Sequence, residues 1–304
     1  MSRVCIYAHY DEKSIIDDYV LFAISQLKKV CEKIIFVSCC DLECEELDKL
    51  DCYKIAQKHN EYDFGSYKRG FIFAKQNDLL KECDELVFVN DSCYGPFKPL
   101  EKIFNQMSEK TCDFWGLTKN KYAFKIVKGR TKDCYIPHIQ SYFFVLRPNV
   151  FNSEGFEKFI TSVKEEETKN EVIEKYEIGL TTDLEACGFE CDYAIKDFYK
   201  YNNPTVYKWR KLYEKSDFPY IKCSLLRLKN SLHTTVEGWQ ELLTAEQVEM
   251  IEKNLSYTRR NKPMQHFAPR FVKEFVFNHL PNKKMKSRMA TRFLLKTVLA
   301  FLTD

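Results

Sequence analysis

Residues 3–38 read RVCIYAHYDEKSIIDDYVLFAISQLKKVCEKIIFVS, and their pattern sets the architecture. RVCIYAH is a short, β-favouring apolar run that ends in the polar cluster HYDEKS. Ile15, Ile16, Tyr19, Val20, Ala23, Ile24 and Leu27 then recur at helical spacing. KIIFVS is a second continuously apolar run, the pattern of a strand covered on both faces. Strand, helix and strand in that order make a βαβ unit, which needs a parallel sheet.

The same alternation continues outward. A polar loop around residues 60–66 leads into a helix expected to reach Glu82. ELVFVN (residues 85–90) gives a third strand, which stops at Asp91-Ser92 ahead of a Gly95-Pro96 turn. A helix follows over 100–107, then a strand-like CDFWGLT (112–118) and a strong β run, IQSYFFVLR (139–147). Residues 154–167 read as helix, and 173–188 as another with a break near Gly179. From Trp209 the pattern becomes mainly helical and basic. The expected fold class is therefore α/β: a mostly parallel, Rossmann-like sheet flanked by helices over residues 1–205, then a helical region over 206–304. Ligands of such sheets bind beyond the carboxyl ends of the strands. Residues 9–14, 60–68, 90–96 and 116–119 are thus expected to surround the site.

A composition 45% apolar and 15% aromatic supports a packed core, and nine glycines with nine prolines exclude a fibrous chain. The thirteen cysteines are odd in number and contain no CxxC pair, so neither a disulfide framework nor a zinc knuckle is expected. MSRVCIYAHY lacks the charged-then-apolar pattern of a signal peptide, and the expected compartment is the reducing cytosol.

The net charge of +3 is unevenly placed: residues 259–304 hold eleven Lys/Arg against Glu274 and Asp304, a balance of +9 over a body of −6. In 268–304, apolar residues flank the basic block KKMKSR, but the final apolar stretch is interrupted by Lys296. It falls short of the about 20 residues a bilayer span needs. Basic and apolar residues mixed on helices fit an interfacial segment on anionic lipid. A helix packed on the protein's own core or on a second subunit is the rival. No nucleic-acid-binding module accompanies the charge, and no nucleic-acid partner is expected.

Four constellations could carry chemistry. Asn90-Asp91-Ser92 ends a rigid strand at the ligand crevice. Mg²⁺ or Mn²⁺ on a sugar diphosphate needs only one or two protein carboxylates, although the same triplet also makes an ordinary turn. Residues 60–69, with Asn60, Asp63 and Lys68, offer backbone N–H groups and a cation to an anion, or simply a capped helix. EKYEIGLTT (174–182) places Glu177 before an Ile-Gly break, where it could deprotonate an acceptor hydroxyl, with Asp183 just beyond. Solvated glutamates on a charged helix are the plainer alternative. His138, Gln140 and Ser141 form a polar cluster suited to sugar hydroxyls, or a strand-edge histidine with neighbours. No P-loop and no GxGxxG is present.

Seven blocks in order resemble the rhamnan synthesis protein F family: residues 4–38, NEYDFGSYKRGF, LVFVNDSCYGPF, DFWGLT, HIQSYFFVLRPNVF, YEIGLTTDLEACGF and FPYIKCSLLR. Together they extend over about residues 3–228. The resemblance implies a GT-A-like fold and a glycosyltransferase that moves a sugar from a nucleotide-sugar donor to a lipid-linked surface glycan. Rhamnose from dTDP-rhamnose is the donor it suggests; galactofuranose or another hexose from a UDP-sugar is the alternative. On this chain it makes Asp91 the metal ligand, with Asn90 and Ser92 in place of a second acid and open to direct phosphate contact. His9, Asp63 and Lys68 would line the nucleotide side; Gln140, Ser141 and Glu177 the sugar and acceptor side. Glu177 is the first candidate base and Asp183 the second, for an inverting displacement. The basic tail would hold the enzyme on the cytoplasmic face of the membrane. Two competing readings differ in class. A nucleotidyltransferase would carry a Gly-rich loop where this chain has HYDEKS, and a non-catalytic membrane-associated scaffold would bind donors without turning them over.

Overall fold

The computed structural model describes residues 1–198, 203–229 and 236–261. The expected membrane-associating segment at 268–304 lies outside them. Strands β1 (Arg3–His9), β2 (Lys33–Ser38), β3 (Tyr53–Ala56) and β4 (Glu85–Asn90) run parallel, in the spatial order β4-β1-β2-β3. They are joined through α1 (Asp18–Leu27), α2 (Cys44–Asp48) and α3 (Tyr62–Gln76). The chain steps outward from β1 to β3 and then returns to the other side of β1. Strand order therefore reverses between β1 and β4, which makes that point the crevice of the sheet.

After β4 come β5 (Cys93–Tyr94), α4 (Glu101–Ser108), β6 (Phe114–Gly116) and a hairpin of β7 (Lys119–Val127) with β8 (Arg130–Ile139). β9 (Phe143–Leu146) then inserts between β4 and β6, antiparallel to both. α5 (Pro148–Phe151), α6 (Glu154–Thr161), α7 (Lys169–Val172), a π-helical turn (Ile173–Ile178) and α8 (Gly179–Ala186) lead to the edge strand β10 (Cys191–Tyr193), parallel to β6. α9 (Pro204–Tyr207), α10 (Trp209–Lys215), β11 (Ile221–Lys222), α11 (Cys223–Arg227) and α12 (Ala245–Thr258) follow, and Leu228–Lys229 pairs parallel with Arg260–Asn261. Among the described residues no helix is long and apolar enough to cross a membrane.

The mostly parallel α/β sheet flanked by helices is present as the sequence implies. Its period of two divides the core into two layers. Cys5 and Tyr7 of β1 face α1, α4 and α10–α12, through Val20, Ile103, Trp209, Leu225 and Ile251. Val4, Ile6 and Ala8 face α3, α6 and α8, through Phe64, Phe71, Phe159 and Leu184. Helices from beyond residue 205 thus share a core layer with β1.

Several boundaries differ from expectation. α3 stops at Gln76 rather than Glu82, because Asp78 takes a left-handed φ of 55° and a helix cannot continue through one. The helix expected over 154–167 ends at Thr161. Near Gly179 the helix is widened rather than broken: the π-helical turn precedes it, and Gly179 itself starts α8. The β7–β8 hairpin lacks a strong apolar alternation and is half exposed; it turns at Lys128-Gly129, both at positive φ.

Gly70 sets how closely α3 lies on the sheet. A Cβ there would stand 2.4 Å from Ile6 Cγ2 and 3.2 Å from Val37 Cγ2. Alanine would gain up to about 1 kcal/mol of helix propensity, but overpacking a core costs about 1–3 kcal/mol. Gly70→Ala is therefore expected to lower stability by about 1–2 kcal/mol in urea unfolding. Unchanged or increased stability would show that α3 does not bear on β1 in this way.

Candidate functional site

The carboxyl ends of β1, β2 and β4 open into a cleft of about 810 Å³. His9 and Ser38 end neighbouring strands in register, and His9 Nδ1 lies 3.0 Å from Ser38 Oγ. Burial lowers the His9 pKa to about 4, so the ring is neutral at physiological pH. It borders the cleft as an uncharged ring.

β4 delivers Asn90, Asp91 and Ser92. The buried Asn90 amide donates to Asp63 Oδ2 at 2.6 Å, and its oxygen accepts from Ser92 N–H at 3.1 Å and Ser92 Oγ at 2.6 Å. The Asp63 side chain thereby reaches from the first turn of α3 to the strand end. Asp91 Oδ2 accepts the Tyr10 N–H at 2.7 Å. Burial, with the nearby Asp63 charge, pushes the Asp91 carboxyl up to about 7, against the downward pull of Tyr10 N–H and the Arg227 guanidinium.

The far wall comes from the π-helical turn. Its widened geometry sends three side chains in separate directions. Glu174 Oε1 accepts the Ile126 N–H at 2.9 Å, Tyr176 packs against Phe64 at 5.8 Å, and Glu177 faces the cleft. Such widenings recur at functional sites. Asn60 joins the rim, donating to Glu165 at 3.1 Å. Ser141 lies at the base, where its carbonyl accepts the Tyr67 hydroxyl at 3.0 Å.

The structure thus brings His9, Asn60, Asp63, Asn90, Asp91, Ser92, Ser141 and Glu177 around one cavity. It does not bring Lys68, His138, Gln140 or Asp183 there. Lys68 is held at 2.7 Å by Glu61 and at 2.5 Å by the Val163 carbonyl, so its charge is already matched. His138 is buried and hydrogen-bonded to the Ile136 carbonyl at 2.8 Å. Gln140 is buried among Thr118, Thr205 and Asn203. Asp183 lies exposed on α8. Sequence reasoning missed Lys222 and Arg227, two cations that line the cleft. Their only signal was the block FPYIKCSLLR, which no local pattern ties to the β4 terminus.

Among the described residues no three His, Cys, Asp or Glu side chains gather into a metal cluster. Asp91 with Asp63 nevertheless fits a divalent cation shared with a donor's phosphates, since such ions take one or two protein carboxylates. Burial, with a smaller push from the Asp63 charge, lifts Asp91 to about 7, and a nearby cation would favour its ionised form.

A family model described as rhamnan synthesis protein F matches residues 34–297. Virulence protein VirA of Vibrio anguillarum is 28% identical over 206 residues, 57% of this chain and 62% of that protein. The uncharacterized protein y4gN of Sinorhizobium fredii is 26% identical over 152 residues, 49% of this chain and 37% of that protein. The chain therefore spans less than two thirds of the length of these relatives. Among solved structures, 4-diphosphocytidyl-2C-methyl-D-erythritol synthase superposes with a TM-score of 0.42 at 8% identity, covering 69% of this chain and 98% of that one. Core-mannan synthase A of Aspergillus fumigatus, in its Mn/GDP form, gives a TM-score of 0.35 at 10% identity, covering 59% and 69%.

The raised Asp91 pKa has a consequence for stability. The folded carboxyl titrates near 7 and the unfolded one near 4. Its contribution is full below about pH 4 and is lost as pH rises towards 7. Asp91→Asn is therefore expected to melt higher than the parent above pH 7, by on the order of 1 kcal/mol given its partial exposure, with the gap closing towards pH 4. A gap independent of pH would overturn the assignment.

Proposed function

Because the chain belongs to the rhamnan synthesis protein F family, we infer that it is a glycosyltransferase which moves a sugar from a nucleotide-sugar donor to a lipid-linked surface glycan. The observation that carries this reading is the meeting of Asp91 and Glu177 on one cavity at the point where strand order reverses. One carboxylate belongs at the donor's diphosphate and the other at the acceptor hydroxyl. Rhamnose from a dTDP-sugar is the favoured donor, in keeping with the family's description.

In the proposed reaction Glu177 takes the proton of the acceptor hydroxyl. The acceptor oxygen bonds to the anomeric carbon as the bond from that carbon to the diphosphate oxygen breaks. The nucleoside diphosphate leaves with the electron pair. A β-linked donor would give an α-linked product. Glu177 holds this role in place of Asp183, which stands outside the cleft. The π-helical turn fixes the base, while neutral His9 and the Asn90–Ser92 hydrogen bonds shape the donor side. Asp91 and Asp63 would hold Mg²⁺ or Mn²⁺, which supplies positive charge to a departing diphosphate. Residues 268–304, with their basic and apolar composition, would keep the enzyme on the cytoplasmic face of the membrane beside a lipid-borne acceptor.

The test is release of nucleoside diphosphate by purified protein given donor and acceptor. Asp91→Ala should abolish it. Asp84→Ala should not, because Asp84 sits at the opposite end of β4 and accepts the Ser2 N–H at 2.8 Å. Equal release from Asp91→Ala and the parent would refute the site. Glu177→Gln should lower kcat by about 10²–10⁴-fold, with little change in donor KM. An unchanged kcat would remove Glu177 as the base.

A further inference from the structure

Two cations reach the cleft from a part of the chain that the transfer scheme leaves unused. β11 pairs antiparallel with β5, placing Lys222 opposite Cys93. The next amide, Cys223 N–H, donates to the Ser92 carbonyl at 2.9 Å, and the Cys223 thiol lies 3.4 Å from the Asp91 carbonyl. Lys222 and Arg227 are thereby stitched to the same strand terminus that carries Asp91.

Neither cation is matched by an ion pair among the described residues. Lys222 Nζ rests over the Tyr142 ring at 4.4 Å. Arg227 is held by neutral oxygens: Tyr94 hydroxyl at 3.2 Å, Tyr19 hydroxyl at 3.2 Å and Asn254 Oδ1 at 3.0 Å. Arg227 feels the Asp91 carboxylate only at longer range, and partly buried positive charge without a direct ion-pair partner gains from an anion that completes the site. A guanidinium fork and an ammonium together suit phosphate oxygens.

The geometry also explains how Arg227 is aimed. Asn254, fully buried on α12, turns its oxygen to Arg227 and Tyr94 and its nitrogen to Asp17 Oδ2 at 2.9 Å. Asp17 is the N-cap of α1 and also accepts the Tyr257 hydroxyl. The carboxylate therefore fixes which way the amide faces. We propose that Lys222 and Arg227 form the diphosphate subsite of the donor cleft and that Asn254 is the residue that positions Arg227 in it. The inference rests on the nucleotide-sugar reading and adds to it a cationic hold on the leaving group that does not require a metal.

Calorimetric titration of the full chain with UDP, dTDP and GDP, and with uridine, thymidine and guanosine, in EDTA and again in Mn²⁺, tests this. The parent should bind a nucleoside diphosphate in EDTA more tightly than the nucleoside. Lys222→Gln and Arg227→Gln should each weaken diphosphate binding about tenfold or more, as loss of a charge-assisted contact does. Nucleoside binding should stay within about twofold. Asn254→Ala should weaken diphosphate binding severalfold, and Arg227→Gln/Asn254→Ala should be no weaker than Arg227→Gln alone. Additive losses in that double variant would overturn the positioning role. Arg227→Lys, which keeps the charge, should retain part of the affinity. Lys222→Gln removes only a ring contact from the fold, so it decides the matter even if Arg227→Gln unfolds. Diphosphate binding by the parent that both Gln variants keep, or that appears only with Mn²⁺ and ignores them, overturns the subsite while the nucleotide-sugar reading stands. A parent that binds no nucleotide overturns both.

Discussion

The candidate site depends on the side chain of Asn90, which is only 6% exposed at the end of β4. Its amide nitrogen holds Asp63 from α3, its oxygen takes both donors of Ser92, and its own N–H donates to the Tyr142 carbonyl. The side-chain amide thus joins a helix start to a strand end, and the backbone N–H of the same residue ties that strand to the approach to β9. A buried donor or acceptor left unmatched costs about 1–3 kcal/mol, so these bonds hold together or fail together. Asp91 follows directly in the chain, and its direction is set by that knot and by Tyr10 N–H.

The electrostatics of the cleft follow from the same constraint. Bringing Asp63 to the strand end sets it beside Asp91 and makes ionising Asp91 harder. Lys222 and Arg227 arrive from later in the chain to line the same cleft, and the Arg227 charge opposes the rise at Asp91. They are held there by β11 pairing on β5 and by Asn254 of α12. The segments after residue 205 therefore contribute to the wall of the cleft as well as to the core.

Much of the fold was legible because buried parallel strands have an unmistakable pattern: RVCIYAH, KIIFVS and ELVFVN all lie where the apolar runs place them. The residues at the strand ends were legible for the same reason, since the topology fixes where the crevice opens. The failures share one cause. Lys68 looked available at a helix start, but Glu61 and the Val163 carbonyl take its charge. His138 and Gln140 looked like a polar cluster, yet each is buried with its own partners. Spacing describes a side chain's neighbours in the chain, not its neighbours across the fold.

The sequence by itself determined the alternating architecture, the strand termini that face the cleft and the candidacy of Asp91 and Glu177, because periodicity and polarity are local properties. Only the tertiary structure decided that β9 enters the sheet antiparallel, that Glu177 rather than Asp183 faces the cleft, and that Lys222 and Arg227 stand beside Asp91. Those outcomes depend on contacts between residues far apart in the chain. Their energies come from burial and hydrogen bonding across the packed core, which no local pattern records.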